Sequence, residues 1–273
     1  MKLQFLGTAA AEGIPAIWCE CEVCRIAKKL KGKELRKRCS YLIDSDTIVD
    51  YGPDGYWQSI EYDIDQTAIK RVLFTHPHED HMTPVEFLFR HSPYFSQVSH
   101  NINVWASPES LRLFLKETGK EFSVLNINAL PFSGGKWAQD EDMEILPIPA
   151  HHSPGCGAMI LVIRRAGKTV LIANDTGMLF ESSWKMFENL KLDAAVIEST
   201  CSFGQPDLAI NHLGINTTVQ FRDRLIEMGC ITAETPVYVN HFSHNGRANH
   251  EQLTEHFAKF NMTVAWDGLS IEI

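Results

Sequence analysis

The chain lacks any run of 18 or more apolar residues, so no stretch of it is suited to cross a membrane as a helix, and no membrane partner is expected. It is also short of positive charge: 25 lysines and arginines stand against 34 aspartates and glutamates, a formal net charge of −9. That balance argues against a broad surface for a phosphate backbone, which takes clustered Lys and Arg, so no extended nucleic acid is expected as a partner. The one basic cluster, from Lys28 to Arg38, reads as a solvated helix and turn. Bound divalent cations would add positive charge that a residue count misses, so a small anionic substrate remains compatible with an acidic chain. A disulfide framework is not expected, because the cysteines number seven and nothing points to secretion. Cys39, Cys156, Cys201 and Cys230 are scattered and read as small core residues. Internal repeats and low-complexity linkers are missing too, which makes one α/β domain over residues 1–273 the economical reading. The opening Met1–Gly7 is too short and too soon interrupted for a signal peptide; it reads as a first strand, and the expected compartment is the cytoplasm.

What is present is ordinary in bulk and specific in detail. Hydrophobic residues make up 44% and charged residues 22%, the balance of a globular protein. Periodicity and turn signals predict strands over 2–6, 40–43, 47–49, 69–74, 103–106, 144–149, 159–164, 169–173, 236–240, 263–266 and 269–273. They predict helices over 23–30, 56–62, 84–90, 108–118, 184–190, 217–228 and 251–260. Residues 50–55 are a strong break.

One stretch organises the rest. Thr75-His76-Pro77-His78-Glu79-Asp80-His81 follows the apolar run Val72-Leu73-Phe74, and places three of the chain's 12 histidines and an aspartate within six residues. Imidazoles and carboxylates are the ligands that borderline divalent metals take, and this spacing can serve two ions. The strand-then-ligand pattern recurs: residues 145–150 run into His151-His152-Ser153, residues 171–173 into Asn174-Asp175-Thr176-Gly177, and residues 237–239 into Asn240-His241. Ligands at strand ends suit metal chemistry, because rigid elements hold geometry better than free loops.

The pattern H-x-H-x-D-H, followed in order by a histidine, an aspartate and a late histidine, resembles that of metallo-β-lactamase-fold hydrolases. The resemblance implies an αβ/βα four-layer sandwich and two catalytic divalent metals, zinc or manganese. It implies His76, His78 and one of His151 or His152 on the first metal, with His152 preferred. Asp80, His81 and His241 would hold the second, with Asp175 between them. Cys19, Cys21 and Cys24 add three soft thiolates, and His244 lies three residues beyond His241. With the opening Gly7-Thr8 through Gly13-Ile14-Pro15, this layout resembles the phosphonate-pathway cyclic phosphodiesterase branch of that superfamily. There the resemblance implies a structural zinc on the three cysteines and His244. It also implies that His212 stands by the leaving group, oriented by an acid such as Glu198. His212 and Asp80 are the catalytic candidates, Asp80 doubling as a ligand.

The expectation is therefore a metal-dependent phosphodiesterase acting on a small, even cyclic, phosphodiester. A thioester or lactone hydrolase of the same fold and a non-catalytic metal-dependent carrier are the alternatives. A transfer-RNA 3′-end nuclease would need a protruding RNA-holding arm, and no long Gly/Pro-rich insertion lies between Asp175 and His241. Trp18, Phe203 and Phe242, near the ligands in sequence, are expected to line the pocket. Self-association into a homodimer is compatible with the sequence.

Overall fold

The apolar runs form two seven-stranded sheets in the computed structural model, which describes residues 1–273. The chain builds β1 (Lys2–Gly7), β2 (Ser40–Ile43), β3 (Thr47–Val49), β4 (Arg71–Leu73), β5 (Ile102–Ala106) and β6 (Ile127–Pro131) into the first sheet. It then builds β7 (Ala138–Asp140), β8 (Met143–Pro149), β9 (Met159–Arg165), β10 (Lys168–Ala173), β11 (Ala194–Glu198), β12 (Val237–Asn240) and β13 (Met262–Val264) into the second. The last strand, β14 (Ser270–Glu272), returns to pair with β1. Both sheets follow one plan, an antiparallel portion continuing into a parallel one: β3 to β6 run parallel in the first, β10 to β13 in the second.

Three bodies of apolar side chains order the layers. Leu3, Phe5, Tyr41, Ile163, Val170 and Val196 pack between the sheets. The outer face of the first sheet is covered by Phe87 and by Phe114 of α3 (Pro108–Thr118). The outer face of the second is covered by Trp184, Phe221 and Phe257, with α5 (Ile215–Glu227) and α6 (His250–Ala258) supplying the last two. The result is the αβ/βα four-layer sandwich. Strands β10 and β11 are buried on both faces, which is why they read as unbroken apolar runs and not as alternating ones. Helix α3 starts where Ser107 accepts the amide of Ser110 and ends at Gly119, whose φ of 59° a glycine adopts without penalty.

The structure corrects several local expectations. Residues Pro84–Arg90 wind as 3₁₀ turns, not an α-helix, and stop short of Ser92-Pro93, since the residue before a proline disfavours the helical region. The helix expected over 184–190 is one α-turn, Glu181–Trp184, and a 3₁₀ turn, Lys185–Phe187, held down by buried Trp184 and Phe187. Strands β6 and β7 lie at sheet edges with half-exposed, irregular patterning and carried no clear signal. The basic stretch is not solvated throughout: Arg36 is buried, donating to Thr8 and to the carbonyl of Ala265. No helix is long and apolar enough to cross a membrane.

Ligands in open α/β sheets gather beyond the carboxyl ends of parallel strands. Here the ends of β3, β4, β10, β11 and β12 deliver Asp50, Thr75–His81, Asp175, Glu198 and His241. Asp50, Asp175 and His241 leave their strands with φ of 61°, 47° and 58°, a left-handed region uncommon for residues other than glycine.

Candidate metal centre and active site

Seven side chains from four chain regions converge at this rim. His78 Nδ1 lies 3.0 Å from His76 Nε2 and 3.2 Å from His152 Nε2. His81 Nε2 lies 3.3 Å from His241 Nε2 and 3.0 Å from Asp80 Oδ2. Asp175 stands between the groups, with Oδ2 2.6 Å from His81 Nε2 and 2.9 Å from His241 Nε2, and with Oδ1 3.9 Å from His152 Nε2. His76, His78 and His152 make one candidate metal set; Asp80, His81, Asp175 and His241 make another. His151 turns away, its Nδ1 bonded to the carbonyl of Met178 and its ring over Phe180.

The hydrogen bonds behind these rings fix which nitrogen is free. His81 Nδ1 donates to Asp50, 2.6 Å away and able only to accept. His152 Nδ1 donates to the carbonyl of Asn211, and His241 Nδ1 meets the hydroxyl of Thr200 at 2.8 Å. With the Nδ1 protons so engaged, the Nε2 lone pairs of His81 and His152 face the carboxylate of Asp175. Asp175 Oδ2 is buried and has no hydrogen-bond donor. Lone pairs this close repel unless a cation lies among them, so the donor set fits divalent metals. In the absence of a cation a proton must serve: burial opposes charge on His81, but Asp80, Asp175 and Asp50 prevail and raise its pKa well above the ordinary histidine range. For His76 burial wins, and its pKa falls well below that range.

Asp50 is the residue that sequence reasoning missed, having placed it in a turn. It is fully buried and accepts from the Thr75 amide at 2.8 Å, from the Thr75 hydroxyl and from His81. The run Val49-Asp50 at a strand end was the available signal, masked by the Gly-Pro break that follows it.

His212 stands beside this centre. Its Nδ1 is 3.1 Å from Glu198 Oε1 and 3.5 Å from Asp175 Oδ1. Burial disfavours charge on the ring, but buried Glu198 beside it outweighs this and carries its pKa up to about 9. Glu198 is itself held by the amides of Thr176, Thr200 and Leu213. A cavity of about 430 Å³ opens over the centre, walled by Glu12, Ser153, Gln205, Asn211 and Asn245 as well as by His78, Asp80, Asp175, His212 and His241, with no lysine or arginine among its lining residues. The aromatic residues expected there lie elsewhere. Trp18 points to solvent at 98% exposure, Phe203 packs against His256 at the surface, and Phe242 is buried in the core. Proximity in sequence to a ligand says nothing about the direction of the next side chain. A comparable cavity of about 400 Å³, lined mainly by apolar residues such as Tyr51, Val72 and Phe87, contains none of these groups.

The cysteines and His244 meet at a separate point. Cys19 and Cys21 Sγ lie 3.4 and 3.6 Å from His244 Nδ1, and the four ligand atoms of Cys19, Cys21, Cys24 and His244 all fall within 4.8 Å of one another. Three thiols and an imidazole match a tetrahedral structural zinc. The Cys19 pKa is lowered, chiefly by the Cys21 amide donating to its sulfur; burial pushes the Cys24 thiol up to about 12. This cluster joins the N-terminal loop to the segment carrying His241. The same junction is sewn by backbone bonds from Ala10 to Phe242 and from Phe242 to Thr8.

Comparison with known proteins places the family and the fold. The family model described as the metallo-beta-lactamase superfamily matches residues 39–187, more than half of the chain. A diphosphatase from the PhnP family superposes with a TM-score of 0.76 at 20% identity, covering 100% of this chain and 96% of that one. The zinc-bound PqqB of Methylobacterium extorquens gives 0.74 at 14% identity, with 100% of both chains covered. The short form of human tRNase Z gives 0.65 at 16% identity, with 100% and 99% covered. At these identities the likeness is one of fold. An octanoyltransferase of Porphyromonas gingivalis is 34% identical over 86 residues, which is 30% of this chain but only 16% of that protein's length. The chain belongs to the metallo-beta-lactamase superfamily, and its site has the donor chemistry of a metal-dependent hydrolase.

Proposed function

We propose that this protein hydrolyses a small phosphodiester, cyclic phosphates included, at a two-metal centre. His76, His78 and His152 would hold one ion, Asp80, His81 and His241 the other, with Asp175 facing both, and a structural zinc would sit on Cys19, Cys21, Cys24 and His244. When bound, divalent ions at the first two places supply Lewis acidity that lowers the pKa of a water to roughly 7 and offsets charge on phosphoryl oxygens. The chain's own groups do the rest. Asp50 and Thr200 orient His81 and His241; the polar walls of the cavity position the ester. His212, held by Glu198 through Nδ1, presents Nε2–H to the departing oxygen.

The observation that carries this reading is the His212–Glu198 pair at the edge of the cavity. An alkoxide leaving a phosphodiester is a poor leaving group and needs a proton, and Glu198, 3.1 Å from Nδ1, favours a protonated His212 ring that can give one. A thiolate leaving a thioester needs it far less. The absence of lysine and arginine from the lining residues favours a compact ester over a polyanionic chain.

The test is turnover by metal-loaded protein on an aryl phosphodiester, a cyclic nucleotide, a thioester and a lactone. Phosphodiester cleavage that Asp175→Ala abolishes is expected. Cleavage of the thioester or lactone with neither phosphodiester touched would replace this reading with the alternative hydrolase.

A further inference from the structure

Beneath the metal centre lies a buried polar ring that the chemistry above does not use. Cys39 and Tyr41, at the start of β2 in one sheet, meet Asn174 and Asn240, at the ends of β10 and β12 in the other, and all four are at most 1% exposed. The Asn240 amide donates to the Tyr41 hydroxyl at 2.7 Å and to the Cys39 sulfur at 2.9 Å. The Asn174 amide donates to the same sulfur at 3.3 Å, and its carbonyl oxygen accepts from the Tyr41 hydroxyl at 2.9 Å. Cys39 closes the ring with a contact of 3.5 Å to Tyr41.

We propose that this Cys39–Tyr41–Asn174–Asn240 ring is a positioning device for the two-metal centre, setting the separation and direction of Asp175 and His241. Three observations converge on it. Each asparagine immediately precedes a candidate ligand, so fixing its side chain fixes the peptide on which that ligand turns. Both ligands leave their strands in the left-handed region, at φ of 47° and 58°; non-glycine residues stay in that region only where the surroundings over-determine them. And β10 and β12 do not pair with each other, β11 lying between them, so the ring spans a gap the sheet ladder leaves open.

Stability alone does not account for the ring. Asn240 Oδ1 is buried with no donor, and an unmatched buried acceptor weakens a core that an apolar set of the same shape would fill at no loss. The cross-sheet link has a further consequence. Tyr41 lies on β2, and Cys39 just before it, in the sheet whose loops carry His76 to His81, so the ring ties the ligands of one sheet to those of the other.

The inference rests on the two-metal reading, and cobalt(II) titration separates the two. Tyr41→Phe deletes one oxygen at nearly constant volume and leaves the Asn174 carbonyl and one Asn240 N–H unpaired. The affinity of the Asp80–His81–Asp175–His241 set for cobalt is expected to fall measurably, by less than the roughly 10- to 100-fold that loss of a group bonded directly to a ligand costs, and its visible absorption to change. The thiolate charge-transfer band from the Cys19–Cys21–Cys24–His244 set should stay as in the wild type. Cys39→Ser, which keeps donor and acceptor in place, should remain near the wild type. Ile163→Val, a cavity in the same inter-sheet core away from the ring, should lower the melting temperature without moving the affinity. Wild-type cobalt affinity and spectrum in Tyr41→Phe, or equal weakening in Ile163→Val, would overturn the positioning role while the two-metal reading stands. A wild-type protein that takes up cobalt at the cysteine set alone would overturn both.

Discussion

Replacing Asp50 with asparagine isolates the orientation of one ligand from the ligand itself. Asp50 is 0% exposed and accepts from three donors: the Thr75 amide, the Thr75 hydroxyl and His81 Nδ1. Asparagine is the same size but offers one accepting oxygen and one donating nitrogen. If the oxygen stays with the two Thr75 donors, the nitrogen points its protons at His81 Nδ1. The imidazole proton then moves to Nε2, the atom 2.6 Å from Asp175, and occupies the lone pair a metal would use. Loss of the orienting partner of a metal-binding histidine typically lowers affinity 10- to 100-fold, which at about 1.4 kcal/mol per tenfold is about 1.4–2.8 kcal/mol. The assay is a competition titration of zinc against a chelator of known affinity, run on wild type and Asp50→Asn. Activity at saturating metal should recover in large part, because no group that faces the substrate has been removed. An affinity within twofold of wild type would refute the tautomer argument, and with it the claim that Asp50 fixes the proton on Nδ1.

Three other outcomes follow from the same geometry. His212→Ala should lower kcat by about 10²–10⁴ on an alkyl phosphodiester and much less on a nitrophenyl ester, whose leaving oxygen needs no proton; equal losses on the two would remove the proton-donor role. Cys19→Ala should reduce bound zinc by one equivalent and open the loop before α1 (Glu22–Leu30) to protease, while the His and Asp ligands keep their metals; unchanged zinc content would argue against a metal on the cysteines. His250 accepts from Arg36 at 2.9 Å, and burial together with Arg36 and Lys33 depresses its pKa to about 4. Between there and the unfolded value of about 6.5 the unfolded chain binds the extra proton, so this contribution is present above about 6.5 and is lost as pH falls toward 4. Urea unfolding of metal-loaded protein at pH 7 and 5 should show a smaller difference in His250→Gln than in wild type, and identical differences would refute it.

The sequence by itself determined the donors and the order in which they arrive. His76, His78, Asp80 and His81 are neighbours in the chain, so their spacing is the geometry of one loop and can be read without a fold. Asp175 and His241 stand where apolar runs stop, and a run buried on both faces declares itself by composition. What only the tertiary structure decided depends on which atoms of distant segments meet. His151 and His152 are adjacent and chemically alike, but one turns to Met178 and the other toward His78. Trp18 and Phe242, near the ligands along the chain, ended in solvent and in the core. Asp50 reaches His81 across 31 positions, and Asn240 reaches Cys39 across 201. A hydrogen bond is a matter of tenths of an ångström and of which nitrogen holds the proton. Local pattern fixes neither, because both are set by the packing of two sheets whose strands are dispersed along the whole chain.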